Sequence, residues 1–96
     1  MSMYFVYLLQ CSITAKWYIG YTSDLQLRLK QHNTRKSKFT SKYGPWKLIY
    51  YEAYLEQRDA IGREIFLKSG SGYRYLKKQM KHYIERAQPR EHTQKA

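Results

Sequence analysis

The sequence predicts a small α+β domain, in which a three-stranded sheet is flanked by helices in the order ββαβαα. Two apolar, tyrosine-rich runs open the chain with a short connection between them, which is typical of a β-hairpin. A third such run lies near the middle, and the remaining periodic segments repeat their apolar residues every three to four positions, as helices do. A chain of 96 residues has room for one modest core.

The three predicted strands are short apolar and aromatic runs without a helical period. Residues 12–15 separate the first two strands, and this length suits a hairpin. The segment 33–45 is polar and strongly basic and closes on Gly-Pro, so it is predicted to be a loop. The predicted strands run over Tyr4–Cys11, Lys16–Tyr21 and Trp46–Tyr54.

Three helices are predicted from their apolar period. Ser23 and Gln26 have the spacing of a capping box at the start of the first, and the Gly70 and Gly72 pair is expected to end the second. The third precedes a polar tail, 87–96, that is expected to be disordered, which leaves one domain over residues 1–86. The predicted helices run over residues 24–33, 56–69 and 73–86.

The charge of the chain favours a polyanionic partner, because 18 lysines and arginines against 7 acids give a formal net charge of +11. Nucleic acid is favoured over a membrane surface, since the cations are interleaved with 11 tyrosines and no segment sets a basic face against a broad apolar one. The single cysteine, Cys11, fits a reducing compartment. The N-terminus lacks a cationic region and a cleavage site, so a cytoplasmic location is expected.

Two predicted helices carry charged side chains on their apolar stripes. Arg28 and His32 share a face of the first helix with two leucines, and should point toward the sheet or its rim. Glu64 lies near the middle of the apolar arc of the second helix. A buried guanidinium needs an acid or a phosphate, and a buried carboxylate needs a cation or a metal. The alternatives are a structural ion pair between Arg28 and Glu64 and a functional site.

Two tyrosines of the predicted hairpin add to this arrangement. Tyr7 and Tyr18 are expected to be neighbours on adjacent strands. Gly20 follows Tyr18 on the same face, and should leave that face bare beside the Tyr18 hydroxyl, as close approach of a ligand requires.

These residues form an ordered pattern that resembles a known family. The runs FVY and WYIG, at residues 5–7 and 17–20, precede Arg28 and His32 on one helix and Glu64 on a later one. The pattern resembles the GIY-YIG nuclease domain, and residues 4 to about 80 resemble its small stand-alone bacterial members.

The sequence departs from that family in two respects. Phe5 stands where the first motif begins with glycine, and no asparagine follows Asn33, although many members carry one late in the domain. Ser69 and Ser71 are the candidates to replace it, and a weakened or altered activity is one expected consequence.

The resemblance implies hydrolysis of a phosphodiester, with one divalent metal ion, Mg²⁺ or Mn²⁺, held by Glu64. It places Tyr7, Tyr18 and Arg28 at the scissile phosphate, and matches His32 to a histidine common in the stand-alone and structure-specific branches. We expect Arg28 to fork onto the phosphoryl oxygens, Tyr18 to act as base or to orient water, Tyr7 to contact phosphate and His32 to relay a proton. A tyrosine with an ordinary pKa of about 10 is a weak base, so the order among the last three stays open.

Cations and aromatic rings also alternate in the loop, which suits a single-stranded or distorted substrate, and a solvated loop is the alternative. The residues concerned are Arg35, Lys36, Lys38, Phe39, Lys42 and Tyr43.

The expected function is therefore a metal-dependent endonuclease that acts on DNA with low sequence specificity, with single-stranded or branched forms as candidate preferred substrates. One rival is a nucleic-acid-binding module, for DNA or RNA, that keeps the fold without turnover, and another is a structural ribosome-associated protein. A homodimer, with Phe66 as a candidate contact, is one way to cut both strands.

Overall fold

The structure, a computed structural model, describes residues 2–34 and 44–87. The chain forms two compact units, residues 1–65 and 66–96, whose boundary falls within the second helix. None of the helices described is both long and apolar enough to cross a bilayer. The elements within the described ranges are β1 Tyr4–Cys11, β2 Trp17–Thr22, α1 Leu25–Asn33, β3 Trp46–Tyr54, α2 Gln57–Lys68, α3 Gly70–Gln79 and α4 Lys81–Ala87.

The predicted α+β fold is confirmed. β1 and β3 have the predicted bounds, because each is a short run rich in aromatic and aliphatic residues, as strands are. The predicted order ββαβαα also holds, except that the last predicted helix is divided at Met80 into α3 and α4. The predicted loop residues 35–43 and the end of the tail, 88–96, lie outside the described residues.

The cap of α1 differs from the prediction. Asp24, and not Ser23, is the N-cap, and its Oδ1 accepts a hydrogen bond from the backbone N–H of Leu27 at 3.1 Å. The Thr22 Oγ1 in turn accepts from the backbone N–H of Asp24 at 3.1 Å. The prediction therefore placed the N-cap one residue too early. Asp24 caps the helix because its carboxylate accepts from a free N–H group and also complements the helix dipole.

The glycine pair after α2 begins a helix and does not simply end one. Ser69 caps α3 by accepting from the backbone N–H of Gly72 at 3.1 Å, so Gly70 and Gly72 both lie in its first turn. A Cβ on Gly72 would lie 1.7 Å from the carbonyl oxygen of Phe66 and 2.9 Å from the Cα of Leu67. The chain reverses so tightly here that only glycine fits.

The sheet is antiparallel, with β1 between β2 and β3. On one face, Tyr7, Leu9 and Cys11 of β1 form a core cluster with Trp46 of β3. α1 covers this cluster, and its Leu25 and Leu29 pack against it, together with Tyr18 and Leu48. Tyr7 and Tyr18 therefore lie on the face of the sheet that α1 covers.

The first turns of α2 are joined to the opposite face of the sheet by polar contacts. Gln57 donates from Nε2 to the Tyr21 hydroxyl at 2.8 Å, and Arg63 donates from Nε and Nη2 to the Glu52 carboxylate at 2.9 and 3.1 Å. These contacts fix the rotation of α2 about its axis. They consequently determine the direction in which Glu64, the next residue, points.

The two helical glycines provide a matched test of this architecture. Gly72→Ala should lower the free energy of unfolding by at least about 2 kcal/mol, because the new methyl group overlaps backbone atoms. Gly62→Ala is the control, since a Cβ on this exposed α2 residue meets no atom within 4 Å and should raise that free energy by about 0.5–1 kcal/mol. Urea unfolding of both variants is the measurement, and a Gly72→Ala protein as stable as wild type would contradict the account.

Candidate active site

A buried hydrogen bond lies at the centre of the site. The Tyr7 hydroxyl of β1 and the His32 Nε2 of α1 are 2.8 Å apart, and the two side chains are only 2% and 1% exposed. Tyr7 occupies the middle of the central strand, and His32 lies in the last turn of the helix packed over it. The expectation that His32 points toward the sheet is thus confirmed.

Both partners of this bond are held neutral at physiological pH. Burial, with a smaller contribution from the neighbouring Tyr18, raises the pKa of Tyr7 to about 12. Burial, with a smaller contribution from the charge of Arg28, lowers the pKa of His32 to about 4. A phenol and an imidazole in these states can share one proton, since each group can donate or accept.

Tyr18 packs against the same pair from β2. Its ring stands edge-on to the His32 ring with centroids 4.9 Å apart, and its centroid lies 6.3 Å from that of Tyr7. The register aligns Tyr18 with Leu9, so the two tyrosines are diagonal neighbours on one face, as the sequence predicted. Because Tyr18 is only half-buried, it is the tyrosine of the two that a ligand reaches more readily.

Gly20 has a different role from the one predicted. A Cβ at this position would lie 2.4 Å from the Tyr7 hydroxyl oxygen, 2.5 Å from the Tyr7 Cζ and 3.0 Å from the Tyr18 Cε2. The face above Gly20 is therefore filled by the end of the Tyr7 side chain, and is not bare for a ligand. The glycine lets the Tyr7 ring cross β2 and keep its bond to His32.

Arg28 brings positive charge to this pair. Its guanidinium is half-buried and donates from Nη1 to the Gln31 Oε1 at 2.9 Å, which orients it along α1. It lies close enough to the Tyr7 hydroxyl to favour the ionised phenolate, and its charge opposes protonation of His32. The site thus contains a cation beside two proton-carrying groups.

Glu64 acts on the site from α2. The residue is half-buried, and its charge is near enough to raise the pKa of Tyr7. Within residues 2–34 and 44–87, no three or more His, Cys, Asp or Glu side chains are grouped so that they could hold a metal ion. The donor set fits a hard cation that takes one carboxylate and keeps several waters, as Mg²⁺ does, and does not fit a closed structural site.

Asn33 is a positioning residue that the sequence analysis missed. Its side chain donates from Nδ2 to the carbonyl of Trp46 at 2.8 Å and accepts at Oδ1 from the Trp46 N–H at 2.7 Å. It thereby joins the end of α1 to the start of β3. The Trp46 ring in turn lies edge-on to Tyr18 with centroids 6.2 Å apart. Only the position of Asn33 at the end of the helical period could have signalled this role.

Glu52 is the second residue that the sequence analysis missed. Burial alone would raise the pKa of its carboxyl, but hydrogen bonds from Arg63, Tyr50 and Tyr54 outweigh burial and lower that pKa. The alternation of tyrosine, glutamate and tyrosine in β3 was the available signal, because these three side chains share one face.

The nucleic-acid-binding residues predicted in the loop stay a prediction, because they lie outside the described part of the chain. They are Arg35, Lys36, Lys38, Phe39, Lys42 and Tyr43.

The buried histidine predicts a specific dependence of stability on pH. Because folding depresses the pKa of His32 from 6.5 to about 4, its contribution is complete above pH 6.5 and is lost as the pH falls through 4. The loss should reach about 3 kcal/mol near the lower value. The measurement is urea unfolding of wild type and His32→Gln between these pH values. As the pH falls, the free energy of unfolding of wild type should decrease by that amount more than that of His32→Gln. His82→Gln, which alters an exposed histidine, is the control, and its curve should parallel that of wild type. A curve for His32→Gln that runs parallel to that of wild type would contradict the prediction.

Comparison with known proteins identifies relatives of this chain. Residues 3–81 match the family described as the GIY-YIG catalytic domain. A UPF0213 protein of Bacillus pumilus is 34% identical over 96 residues, which cover 96% of this chain and 94% of that protein. The UPF0213 protein YazA of Bacillus subtilis is 35% identical over 83 residues, which cover 85% of this chain and 78% of that protein. The solution NMR structure of the UPF0213 protein BH0048 from Bacillus halodurans is 32% identical, covers 77% of this chain and 81% of that chain, and has a TM-score of 0.49. The resemblance in the motifs is thereby confirmed, and the chain belongs to the GIY-YIG family.

Proposed function

We propose that this chain is a metal-dependent endonuclease that hydrolyses phosphodiester bonds in DNA with low sequence specificity. The observation that carries the proposal is the buried Tyr7–His32 hydrogen bond, with the Arg28 guanidinium beside it. Membership of the GIY-YIG family and a net charge of +11 support a polyanionic substrate. A single-stranded or branched substrate is proposed from the alternation of cations and rings in the loop sequence.

The Tyr7–His32 pair would move the proton of the attacking water. Water gives a proton to the Tyr7 hydroxyl oxygen while Tyr7 gives its own proton to the His32 Nε2, which requires the neutral tautomer protonated at Nδ1. The resulting hydroxide attacks phosphorus, the bond to the 3′ oxygen breaks, and the departing alkoxide takes a proton from solvent. His32 then releases the proton it received, which restores the neutral pair. This assignment moves the base from Tyr18 to Tyr7, because the Tyr7 hydroxyl has the proton acceptor at 2.8 Å.

The protonation states of the pair would make this step depend on bound substrate. A His32 pKa of about 4 makes the imidazolium unfavourable in the free protein, in part because Arg28 lies near. A phosphodiester bound to the guanidinium brings a negative charge that offsets Arg28, and favours proton transfer onto the imidazole. Proton transfer would therefore be easiest when the phosphate is in place.

Arg28 would bind the phosphoryl oxygens. A guanidinium presents two parallel N–H groups and matches two oxygens of one phosphate, which a lysine does not. Its bond to Gln31 holds it in position before the substrate arrives, and so reduces the ordering that binding requires. Contacts of this type recognise the backbone and not the base edges, in agreement with low sequence specificity.

Glu64 would hold one divalent ion, Mg²⁺ or Mn²⁺, through its single carboxylate. When bound, such an ion supplies Lewis-acid stabilisation of the charge on the phosphoryl oxygens. Tyr18, which is half-buried and edge-on to His32, would orient the water or contact the phosphate. Its position beside the pair supports either role.

A second candidate function is a nucleic-acid-binding module that keeps this fold without turnover. The observation in its favour is that the free protein holds Tyr7 and His32 uncharged, so that neither a phenolate base nor an imidazolium acid is present before substrate binds. The missing late asparagine supports it as well. Such a module has no use for a carboxylate at Glu64, and this difference separates the two functions.

The experiment is cleavage of end-labelled single-stranded, duplex and forked DNA with Mg²⁺, with Mn²⁺ and with chelator. Wild type should cut only with metal, and Glu64→Gln should lower the rate about 100-fold or more, because the variant loses the carboxylate that holds the ion. Glu56→Gln, which alters an exposed side chain just before α2, is the control and should keep the wild-type rate. Metal-dependent cutting by Glu64→Gln at the wild-type rate would refute the mechanism. DNA binding without cutting in either metal would favour the module.

A further inference from the structure

The second compact unit has a much higher density of positive charge than the first. Residues 66–87 carry six lysines and arginines and one acid, Glu85. Their net charge of +5 equals that of the 65 residues before them, although the stretch is about a third as long. Glu85 itself lies on the exposed surface, with an oxygen 3.9 Å from the Nδ1 of His82. The field of this unit is therefore strongly positive.

Three of these cations form a cluster on one side of α3. Arg74, Lys77 and Lys78 are exposed and have the i, i+3 and i+4 spacing that places side chains on one arc. Leu76, which lies on the opposite side of the helix, is fully buried. Like charges at this spacing repel each other and weaken the helix. A polyanion bound along the arc would remove that repulsion.

Exposed aromatic rings accompany the cations. Phe66 and Tyr75 are 39% and 42% exposed, and their ring centroids are 6.1 Å apart. Tyr73 is also exposed, and the Nζ of Lys77 lies 5.5 Å from its ring centroid. Cations for phosphates beside rings for stacking are the combination that proteins use for unpaired nucleic acid strands.

A membrane surface fits these residues less well. The apolar side chains Leu76 and Met80 are buried, so they are not available to insert into a bilayer. Two of the three exposed rings, Tyr73 and Tyr75, end in a hydroxyl group that prefers a hydrogen-bonding environment. Nucleic acid is therefore the polyanion that the chemistry of this surface favours.

We propose that Arg74, Lys77 and Lys78, with the rings of Phe66 and Tyr75, form a nucleic-acid-binding surface on the second unit. The cations contact the phosphates of a single strand, and the rings stack on its bases. The proposal uses none of the residues named for the candidate active site or predicted as contacts in the loop. It goes beyond the proposed hydrolysis, because it binds nucleic acid whether or not the protein cuts it.

The test measures binding of a fluorescently labelled single-stranded DNA by anisotropy, in chelator so that metal-dependent cleavage cannot occur. R74Q/K77Q/K78Q should reduce the slope of log K against log salt by about 2, since each lost phosphate contact on a single strand removes about 0.7. K16Q/K30Q/K47Q is the matched control, because it removes the same charge from exposed positions of the first unit. Its slope should stay close to that of wild type. Equal slope changes in the two variants, or none in R74Q/K77Q/K78Q, would overturn the proposal.

Two further measurements complete the test. Tyr75→Leu should weaken binding about 5- to 100-fold if the ring stacks on a base, whereas Tyr51→Leu, at an exposed position of β3, should not. Tighter binding to phosphatidylserine vesicles than to DNA, lost in R74Q/K77Q/K78Q, would assign the surface to membranes and overturn the proposal. Circular dichroism should give all variants the wild-type spectrum. Because binding is measured without cleavage, an inactive enzyme leaves this test valid, and failure of this surface leaves the hydrolysis proposal standing.

Discussion

The hydrogen bond between the Tyr7 hydroxyl and the His32 Nε2 is the interaction on which the candidate site depends. It joins the central strand to the helix that covers the core, and both residues are almost fully buried. Leaving one buried polar partner unsatisfied costs about 1–3 kcal/mol, so the fold itself favours the arrangement. Gly20 makes room for the Tyr7 ring, and Asn33 holds the end of the helix at β3.

The same burial that stabilises the bond also sets the chemical state of the site. A phenol with a pKa of about 12 and an imidazole with a pKa of about 4 are both uncharged near neutral pH. Arg28 contributes a positive charge beside them, and a phosphate is the group that best complements it. Structural stability and the proposed reactivity thus come from one pair of side chains. The positive charge of residues 66–87 is a separate feature of the sequence, and the nucleic-acid contact proposed for it does not depend on this pair.

Much of this arrangement could be predicted from the sequence, because its signals are local. The apolar runs gave the bounds of β1 and β3, and helical spacing placed Arg28 and His32 on the inner face of α1. The features that escaped prediction depend on tertiary partners. The crowding above Gly20 requires the register of two strands. The roles of Asn33 and Glu52 require knowing which strand or helix lies opposite.

The boundaries show the same limit on a smaller scale. Ser23 and Asp24 both suit an N-cap, and only the backbone geometry selects Asp24. The apolar stripe of the last predicted helix continues through Met80, so the periodicity gave no sign of the break that separates α3 from α4.

The most direct test of the central claim is the cleavage rate of Tyr7→Phe, which keeps the ring and removes only the hydroxyl. Tyr51→Phe, which alters an exposed tyrosine paired with Tyr7 in the sheet, is the matched control. Circular dichroism and thermal unfolding would verify that both variants are folded. If the Tyr7–His32 pair moves the proton of the attacking water, Tyr7→Phe should cut DNA about 100-fold or more slowly than Tyr51→Phe, because general acid–base catalysis is lost. A folded Tyr7→Phe protein that cuts at the rate of the control would contradict the account.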